Sequence, residues 1–132
     1  MEREIICLDT SILIDYFRKK NKETTSFYKL SEFNYSFTVT SITTFEIYRG
    51  ITPLQKPFWD TLFQQTEIIP FNEQASKIAA SLLQRLNLKN NQMALPDLFI
   101  APIVIQKNMK LATLNRKHFE KVVELELLSS FE

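Results

Sequence analysis

An uninterrupted apolar run, Ile5-Ile6-Cys7-Leu8, ends directly at Asp9 near the start of the chain. A strand with one wet face alternates apolar and polar residues, whereas a strand covered on both faces is apolar throughout. The run therefore predicts a buried strand of a parallel sheet that carries helices on both faces. It also brings one carboxylate, that of Asp9, to the end of this strand.

The rest of the chain alternates strand-like and helix-like segments. Further strands are predicted over residues 36–40, 67–70 and 110–114, with a weak fifth strand over 122–125. Helices are predicted over residues 12–19, 24–33, 41–49, 53–65, 72–86 and 96–107, with a short helical turn over 115–120. This alternation predicts the α/β class, as a three-layer α/β/α sandwich around a central parallel sheet of four to five strands. A length of 132 residues fits one domain, residues 1–132.

Several helix ends have recognisable signals. Thr10 or Ser11 is expected to cap the first helix, and Ser41 the helix after the second strand. Gly50 is expected to end that later helix in a left-handed conformation, because it is the only glycine of the chain. Pro102 is expected to kink the helix that contains it, since proline removes one backbone hydrogen bond.

The scarcity of some residue types excludes several classes of site. One glycine is too few for a phosphate-binding loop or a dinucleotide fingerprint, both of which need several. One histidine and one cysteine exclude a two-histidine zinc motif and a Cys/His zinc cluster. A metal held by this chain must therefore use carboxylate oxygens, which favours Mg²⁺ or Mn²⁺. The formal net charge of +1 provides no overall basic field, so nucleic-acid binding would depend on local clusters.

The sequence also predicts a compartment. Cys7 is the only cysteine, so the chain forms no internal disulfide, which suits a reducing environment. The acidic first residues lack the long apolar stretch of a signal peptide, and no run approaches the ~18 apolar residues of a membrane span. We expect a cytoplasmic protein without membrane contact.

Four polar side chains are predicted to meet at one edge of the sheet. Asp9 follows the first strand, Asn115 follows the fourth, and Glu46 lies early in the helix after the second. Asp97 lies in the first turn of the helix that precedes the fourth strand. Parallel sheets bind ligands outside the carboxyl ends of their strands, where the strand order reverses. Clustered carboxylates repel one another, and a divalent cation that they hold is suited to metal-assisted hydrolysis.

Each of these residues also has a structural interpretation. An aspartate at a strand end often caps a helix, and Asp97 would stabilise a helix dipole without any function. Thr10 and Ser11 are candidates for binding a phosphate as well as for capping. Arg49 could pair with Glu46, touch a phosphate, or simply be solvated.

Four segments together resemble the PIN domain family, and most closely its VapC-type toxins of toxin–antitoxin pairs. They are the segments Leu8-Asp9-Thr10-Ser11-Ile12-Leu13-Ile14-Asp15, Ser41-Ile42-Thr43-Thr44-Phe45-Glu46-Ile47-Tyr48-Arg49-Gly50, Pro96-Asp97-Leu98-Phe99-Ile100-Ala101 and Leu111-Ala112-Thr113-Leu114-Asn115-Arg116-Lys117-His118-Phe119. Each segment alone is a weak signal, but the four occur in the family's order and spacing over nearly the whole chain.

The resemblance implies an endoribonuclease that cleaves RNA with Mg²⁺ or Mn²⁺. It implies that Asp9, Glu46 and Asp97 hold the metal, and that Asn115 stands where the family often has a fourth acid. An amide brings no charge, so the number of metal ions stays open, as does the role of His118. The resemblance further implies a small cognate antitoxin as partner and a homodimer.

Two alternatives remain at this stage. One is a non-catalytic RNA- or protein-binding module, to which the neutral Asn115 gives weight. The other is a housekeeping RNA-processing nuclease of the same family. Metal-dependent cleavage distinguishes an enzyme from a binding module.

Overall fold

A central parallel sheet organises the computed structural model, which describes residues 3–129. Its strands are β1 (Glu4–Leu8), β2 (Tyr35–Thr40), β3 (Glu67–Ile69) and β4 (Lys110–Ala112). All neighbouring strands are parallel, and their order across the sheet is β3-β2-β1-β4. The predicted domain over residues 1–132 includes residues 1–2 and 130–132, which lie outside the described range.

Helices fill the connections between the strands. They are α1 (Thr10–Arg18), α2 (Ser26–Ser31), α3 (Ser41–Gly50), α4 (Lys56–Gln64), α5 (Glu73–Leu88), α6 (Leu95–Gln106) and α7 (Arg116–Phe119), with a 3-10 turn at Lys22–Thr24. Two helices begin later than predicted, α2 at Ser26 instead of residue 24 and α4 at Lys56 instead of residue 53. Helix α6 continues through Pro102. Within residues 3–129, no helix is both long and apolar enough to cross a membrane.

The buried side chains form two hydrophobic clusters, one on each face of the sheet. Ile6 and Leu8 belong to the cluster that includes residues of α1, α2 and α4. Cys7, which lies between them, belongs to the cluster built by α5 and α6. Adjacent strand residues point to opposite faces, so the apolar run of β1 contributes to both clusters. The predicted three-layer α/β/α sandwich is confirmed, with four strands.

The strand order reverses beside β1, and this creates a crevice at the carboxyl edge of the sheet. The chain passes from β1 to β2 to β3 in one direction, and β4 then pairs on the other side of β1. The N–H of Asp9 donates to the carbonyl of Ala112 at 2.9 Å, which extends the pairing of β1 with β4 by one hydrogen bond. This bond holds the backbone of Asp9, from which its side chain extends, at the point where the strand order reverses.

The cap residues differ from those that the sequence suggested. Asp9 occupies the N-cap position of α1 without a side-chain capping bond, so the prediction that Thr10 or Ser11 caps this helix was wrong. Thr40, rather than Ser41, caps α3 by accepting the N–H of Thr43. Sequence patterns place caps to within about two residues, and here the hydroxyls of both α1 candidates contact carboxylates instead.

The expected left-handed conformation of Gly50 is also wrong. Gly50 has a negative φ and is the last residue of α3, and the next residue, Ile51, is extended. Two asparagines take the left-handed region, Asn90 after α5 with a φ of 51° and Asn108 after α6 with a φ of 55°. Asparagine tolerates this conformation better than most residues, which explains how helices of this chain end without glycine.

The predicted fifth strand over residues 122–125 is not formed. The N–H of Val122 bonds to Phe119 and the N–H of Leu125 bonds to Val122, so the segment consists of turns. Val122 and Leu125 are buried on one side of these turns while the two residues between them are exposed. A single parallel bridge to β4 forms only later, between Leu111 and Leu127.

Candidate active site

Asp9 lies at the centre of the carboxyl edge and is only 3% exposed. The hydroxyls of Ser11 and Thr113 donate to its Oδ2 atom at 2.9 Å and 2.7 Å. The Ser11 hydroxyl in turn accepts the N–H of Leu114 at 3.1 Å, which ties α1 to the loop after β4. Since both hydroxyls converge on Oδ2, the second carboxylate oxygen, Oδ1, is the one left for a ligand.

Glu46 approaches the same place from α3. Its Oε1 atom lies 2.7 Å from the hydroxyl oxygen of Thr10, and its Oε2 atom lies 3.8 Å from the guanidinium of Arg49. The Glu46 side chain is 17% exposed and that of Arg49 is 58% exposed, so their pairing is a screened surface contact. The structure thus brings Thr10 and Arg49 to Glu46.

Asp97 completes the set from the first turn of α6, as the sequence predicted. Its Oδ2 atom lies 3.3 Å from Nδ1 of His118, a residue on α7. Burial raises the pKa of the Asp97 carboxyl above its usual value, and the negative charge of Asp9 raises it further. His118 opposes this effect, while Glu46 adds to it.

Asn115 borders the cleft at the end of the loop that follows β4. Its backbone N–H donates to the hydroxyl of Thr113 at 3.0 Å, and its side chain does not cap α7. The Thr113 hydroxyl therefore donates to Asp9 and accepts from the backbone of Asn115. Thr113 is only 1% exposed.

These residues surround one open cleft of about 530 Å³. Six of the seven residues predicted for the site line it, namely Asp9, Thr10, Ser11, Glu46, Asp97 and Asn115. Arg49, the seventh, touches the cleft only through Glu46. Arg18 and Lys19, from the C-terminal end of α1, add positive charge to the rim. The volume and the mixed charge suit a phosphate-containing ligand that enters from solvent.

The acids of the cleft match the chemistry of a divalent cation. The raised pKa of Asp97 reflects burial and two neighbouring negative charges, and a cation among the three carboxylates would remove that repulsion. Among residues 3–129, however, no three acidic, histidine or cysteine side chains stand close enough to enclose an ion by direct bonds alone. The oxygen donors of these three acids suit a hard divalent cation.

Comparison with known proteins identifies the family. The family model of the PIN domain matches residues 6–125 of this chain. The chain belongs to the PIN domain family. This PIN domain is 32% identical over 127 residues to Ribonuclease VapC1 of Methanocaldococcus jannaschii, an alignment that covers 96% of this chain and 87% of that protein.

Solved structures share the fold of this PIN domain. VapBC2 from Rickettsia felis, in a crystal structure bound to a DNA fragment from its promoter, superposes with a TM-score of 0.79 and 26% identity. The match covers 94% of this chain and 97% of that one. VapBC-5 of Mycobacterium tuberculosis, a member of the VapBC family of toxin–antitoxin systems, superposes with a TM-score of 0.67 over 96% of this chain and 98% of that one. Its 18% identity supports a common fold alone.

Two residues of the site, Thr113 and Thr43, escaped the sequence analysis. Both are buried and bond to site residues, but threonines in or beside strands are common and carry no distinctive signal. The role of His118 was left open by the sequence, and the structure places it against Asp97.

Proposed function

We propose that this PIN domain is a divalent-metal-dependent endoribonuclease that hydrolyses RNA phosphodiester bonds, and that it is the toxin of a toxin–antitoxin pair. The observation that carries the proposal is the meeting of Asp9, Glu46 and Asp97 in one open cleft at the carboxyl edge of the sheet. Its relationship to Ribonuclease VapC1 supports the same activity. The proposal treats residues 1–132 as a single nuclease domain.

The three acids would hold the metal through carboxylate oxygens, in part through water. The donor set is all oxygen, so the hard cations Mg²⁺ or Mn²⁺ are the proposed cofactors. Such an ion lowers the pKa of water and stabilises negative charge on a phosphate. Asn115 is assigned to the same cleft as a neutral group that hydrogen-bonds water or substrate.

The remaining polar groups are assigned to RNA. Ser11 and Thr10 border the cleft, and Arg49 stands beside Glu46, so these three are the proposed substrate contacts. Arg18 and Lys19 at the rim would neutralise phosphates on either side of the cleaved bond. Because these cations are few, RNA affinity should depend on salt with a shallow slope.

The proposed partners follow from the family relationship. VapBC2 of Rickettsia felis is similar to this chain over nearly its full length, and we infer a small antitoxin protein and a homodimer by analogy. The cytoplasm is the proposed location, because RNA is present there and the buried Cys7 has no disulfide to form.

A binding module without catalysis is the second candidate, and the neutral Asn115 favours it. Fewer fixed charges weaken a metal site, while Ser11, Arg49 and the rim cations would still contact RNA. A binding module would bind RNA equally well in chelator and in Mg²⁺, with no cleavage in either.

An RNA cleavage assay tests the proposal. The purified chain is incubated with a labelled single-stranded RNA in Mg²⁺, Mn²⁺ or chelator, beside Asp9→Asn. Both hydroxyl donors contact Oδ2, so the amide oxygen of an asparagine can accept them and the fold should persist. The amide nitrogen would replace Oδ1, which removes the oxygen that faces a cation, and cleavage should be lost.

The control is Asp60→Asn, which removes the same charge from the exposed surface of α4. We expect this variant to cleave RNA as the parent does. Metal-dependent cleavage that survives in Asp9→Asn at the parental rate would overturn the assignment of the site.

A further inference from the structure

A row of threonine hydroxyls runs beneath the cleft from the end of β2 to Glu46. It consists of Thr40, Thr43 and Thr10, of which the first two are 0% exposed and the third is 9% exposed. The hydroxyl oxygens of Thr40 and Thr43 lie 3.5 Å apart, and those of Thr43 and Thr10 lie 3.1 Å apart. Thr10 then reaches Oε1 of Glu46 at 2.7 Å.

The Thr10 hydroxyl stands between Glu46 and Thr43. Its one proton has two acceptors within reach, Oε1 of Glu46 at 2.7 Å and the hydroxyl oxygen of Thr43 at 3.1 Å, and the charged carboxylate is the nearer of the two. Thr43 accepts from Thr10 on one side and from Thr40 on the other, so it holds Thr10 in place beside Glu46. The Thr40 hydroxyl in turn accepts the backbone N–H of Thr43 at 3.2 Å, which anchors the far end in the cap of α3.

We propose that Thr40, Thr43 and Thr10 form a buried hydroxyl relay that positions the Glu46 carboxylate for metal binding. Thr10 is then a positioning residue as well as a proposed contact for RNA. The inference rests on the proposed metal-dependent function of the cleft and assigns a role to Thr40 and Thr43, which are fully buried.

The relay holds one edge of the carboxylate and frees the other. Oε1 of Glu46 is engaged by Thr10, so Oε2, which lies 3.8 Å from the exposed guanidinium of Arg49, is the atom that would face the ion and its waters. Asp9 is held in the same manner, with its hydroxyl partners on Oδ2. Without the relay, the flexible glutamate side chain would sample several rotamers, and each binding event would have to order it.

Thr43 is the decisive position because RNA cannot reach it. Thr43→Val keeps the side-chain shape and removes the hydroxyl. The partners that orient a metal ligand typically contribute 10- to 100-fold to metal affinity. We expect Thr10→Val to weaken Mn²⁺ binding within that range, and Thr43→Val, one bond further away, to weaken it about tenfold.

The experiment measures Mn²⁺ affinity by calorimetric titration of the full chain, together with kcat and KM for RNA cleavage. Thr43→Val should lower Mn²⁺ affinity and kcat while KM for RNA stays within about twofold of the parent. Thr43→Ser, which retains the hydroxyl, should restore both. Thr38→Val is the matched control, because Thr38 is 2% exposed in β2 and its hydroxyl contacts two sulfur atoms, those of Met109 and Cys7, rather than a carboxylate.

A double-mutant cycle with Glu46→Ala tests whether the effect passes through Glu46. In that background Thr43→Val should change Mn²⁺ affinity by less than about twofold, because the carboxylate that the relay positions is gone. Equal losses with and without Glu46 would overturn the relay. So would a Thr43→Val variant that binds Mn²⁺ as tightly as Thr38→Val.

Two further outcomes are decided in the same design. If Thr43→Val does not fold, Thr10→Val and Thr10→Ser replace it, and equal Mn²⁺ affinities for these two variants overturn the relay. If the parent binds Mn²⁺ but cleaves no RNA, the proposed function fails while the binding data still decide the relay. A parent chain that does not bind Mn²⁺ overturns both.

Discussion

Thr113→Val should destabilise the fold through a single lost hydroxyl. Thr113 is 1% exposed, and its hydroxyl donates to Oδ2 of Asp9 at 2.7 Å while accepting the N–H of Asn115 at 3.0 Å. Valine occupies nearly the same volume, so the substitution opens no cavity and the packing contribution to stability should be preserved. The expected change therefore comes from hydrogen bonding.

The magnitude follows from what each partner loses. A hydrogen bond to a charged group contributes about 1.5–3 kcal/mol to stability. Asp9 keeps the Ser11 hydroxyl on the same oxygen, and the exposed Asn115 can exchange its lost bond for one to water. We therefore expect a loss near the lower end of that range, about 2 kcal/mol in the free energy of unfolding.

The assay is urea unfolding at pH 7 in chelator, monitored by circular dichroism. The slope of the unfolding free energy against urea concentration should be the same in the variant and the parent. Thr38→Val is the reference, because a thioether sulfur is a weak acceptor and its loss should change stability by less than about 1 kcal/mol. If the two variants lose equal stability, the argument that Thr113 supports a buried charge is refuted.

Further predictions concern the helix ends and the pH dependence of stability. Gly50→Ala should stabilise the fold by about 0.5–1 kcal/mol, because Gly50 has a negative φ and an added Cβ meets no atom within 4 Å. Asn108→Ala should destabilise the fold by about 1 kcal/mol, since the φ of 55° at this position is unfavourable for alanine. Urea unfolding of both variants tests this contrast, and stability changes of the same sign in the two variants would contradict it. Burial alone would raise the pKa of Asp15, but Lys19 and the N–H of Ser26 lower the pKa overall. The ionised Asp15 therefore stabilises the fold fully above the unfolded pKa of about 3.9. This stabilisation is lost as the pH falls through the lower pKa of the folded state. Asp15→Asn should thus be less stable than the parent at pH 7, with the difference closing below about pH 4 in a series of urea titrations; a difference independent of pH would contradict the assigned ion pair.

The sequence was sufficient for the fold and for the placement of three acids in one cleft, because both depend on strong local patterns. The apolar run before Asp9 indicated a doubly covered strand, and this implied the parallel topology. That topology, in turn, implied that Asp9, Glu46 and Asp97 meet. The fifth strand was wrong because Val122 and Leu125 are equally apolar in a turn and in a strand, and only the backbone bonds distinguish the two.

The hydrogen bonds of the site could not be predicted in the same way. The Thr10 hydroxyl can cap a helix or contact a residue 36 positions away, and its local sequence is the same in both cases. The pairing of Asp97 with His118 depends on how α6 and α7 approach each other. Such choices are made by tertiary packing, which short sequence patterns do not encode.

The position of β4 on the far side of β1 affects when the site can form during synthesis. Asp9 precedes its partner Thr113 by 104 positions. At translation rates of roughly 5–20 residues per second, about 5–20 s separate the synthesis of the two. A nascent or truncated chain that ends before α6 has Asp9 and Glu46 but lacks Asp97, so the cleft stays incomplete until most of the chain has been made. A chain whose synthesis has not reached α6 would thereby lack one of the three acids proposed to hold the metal.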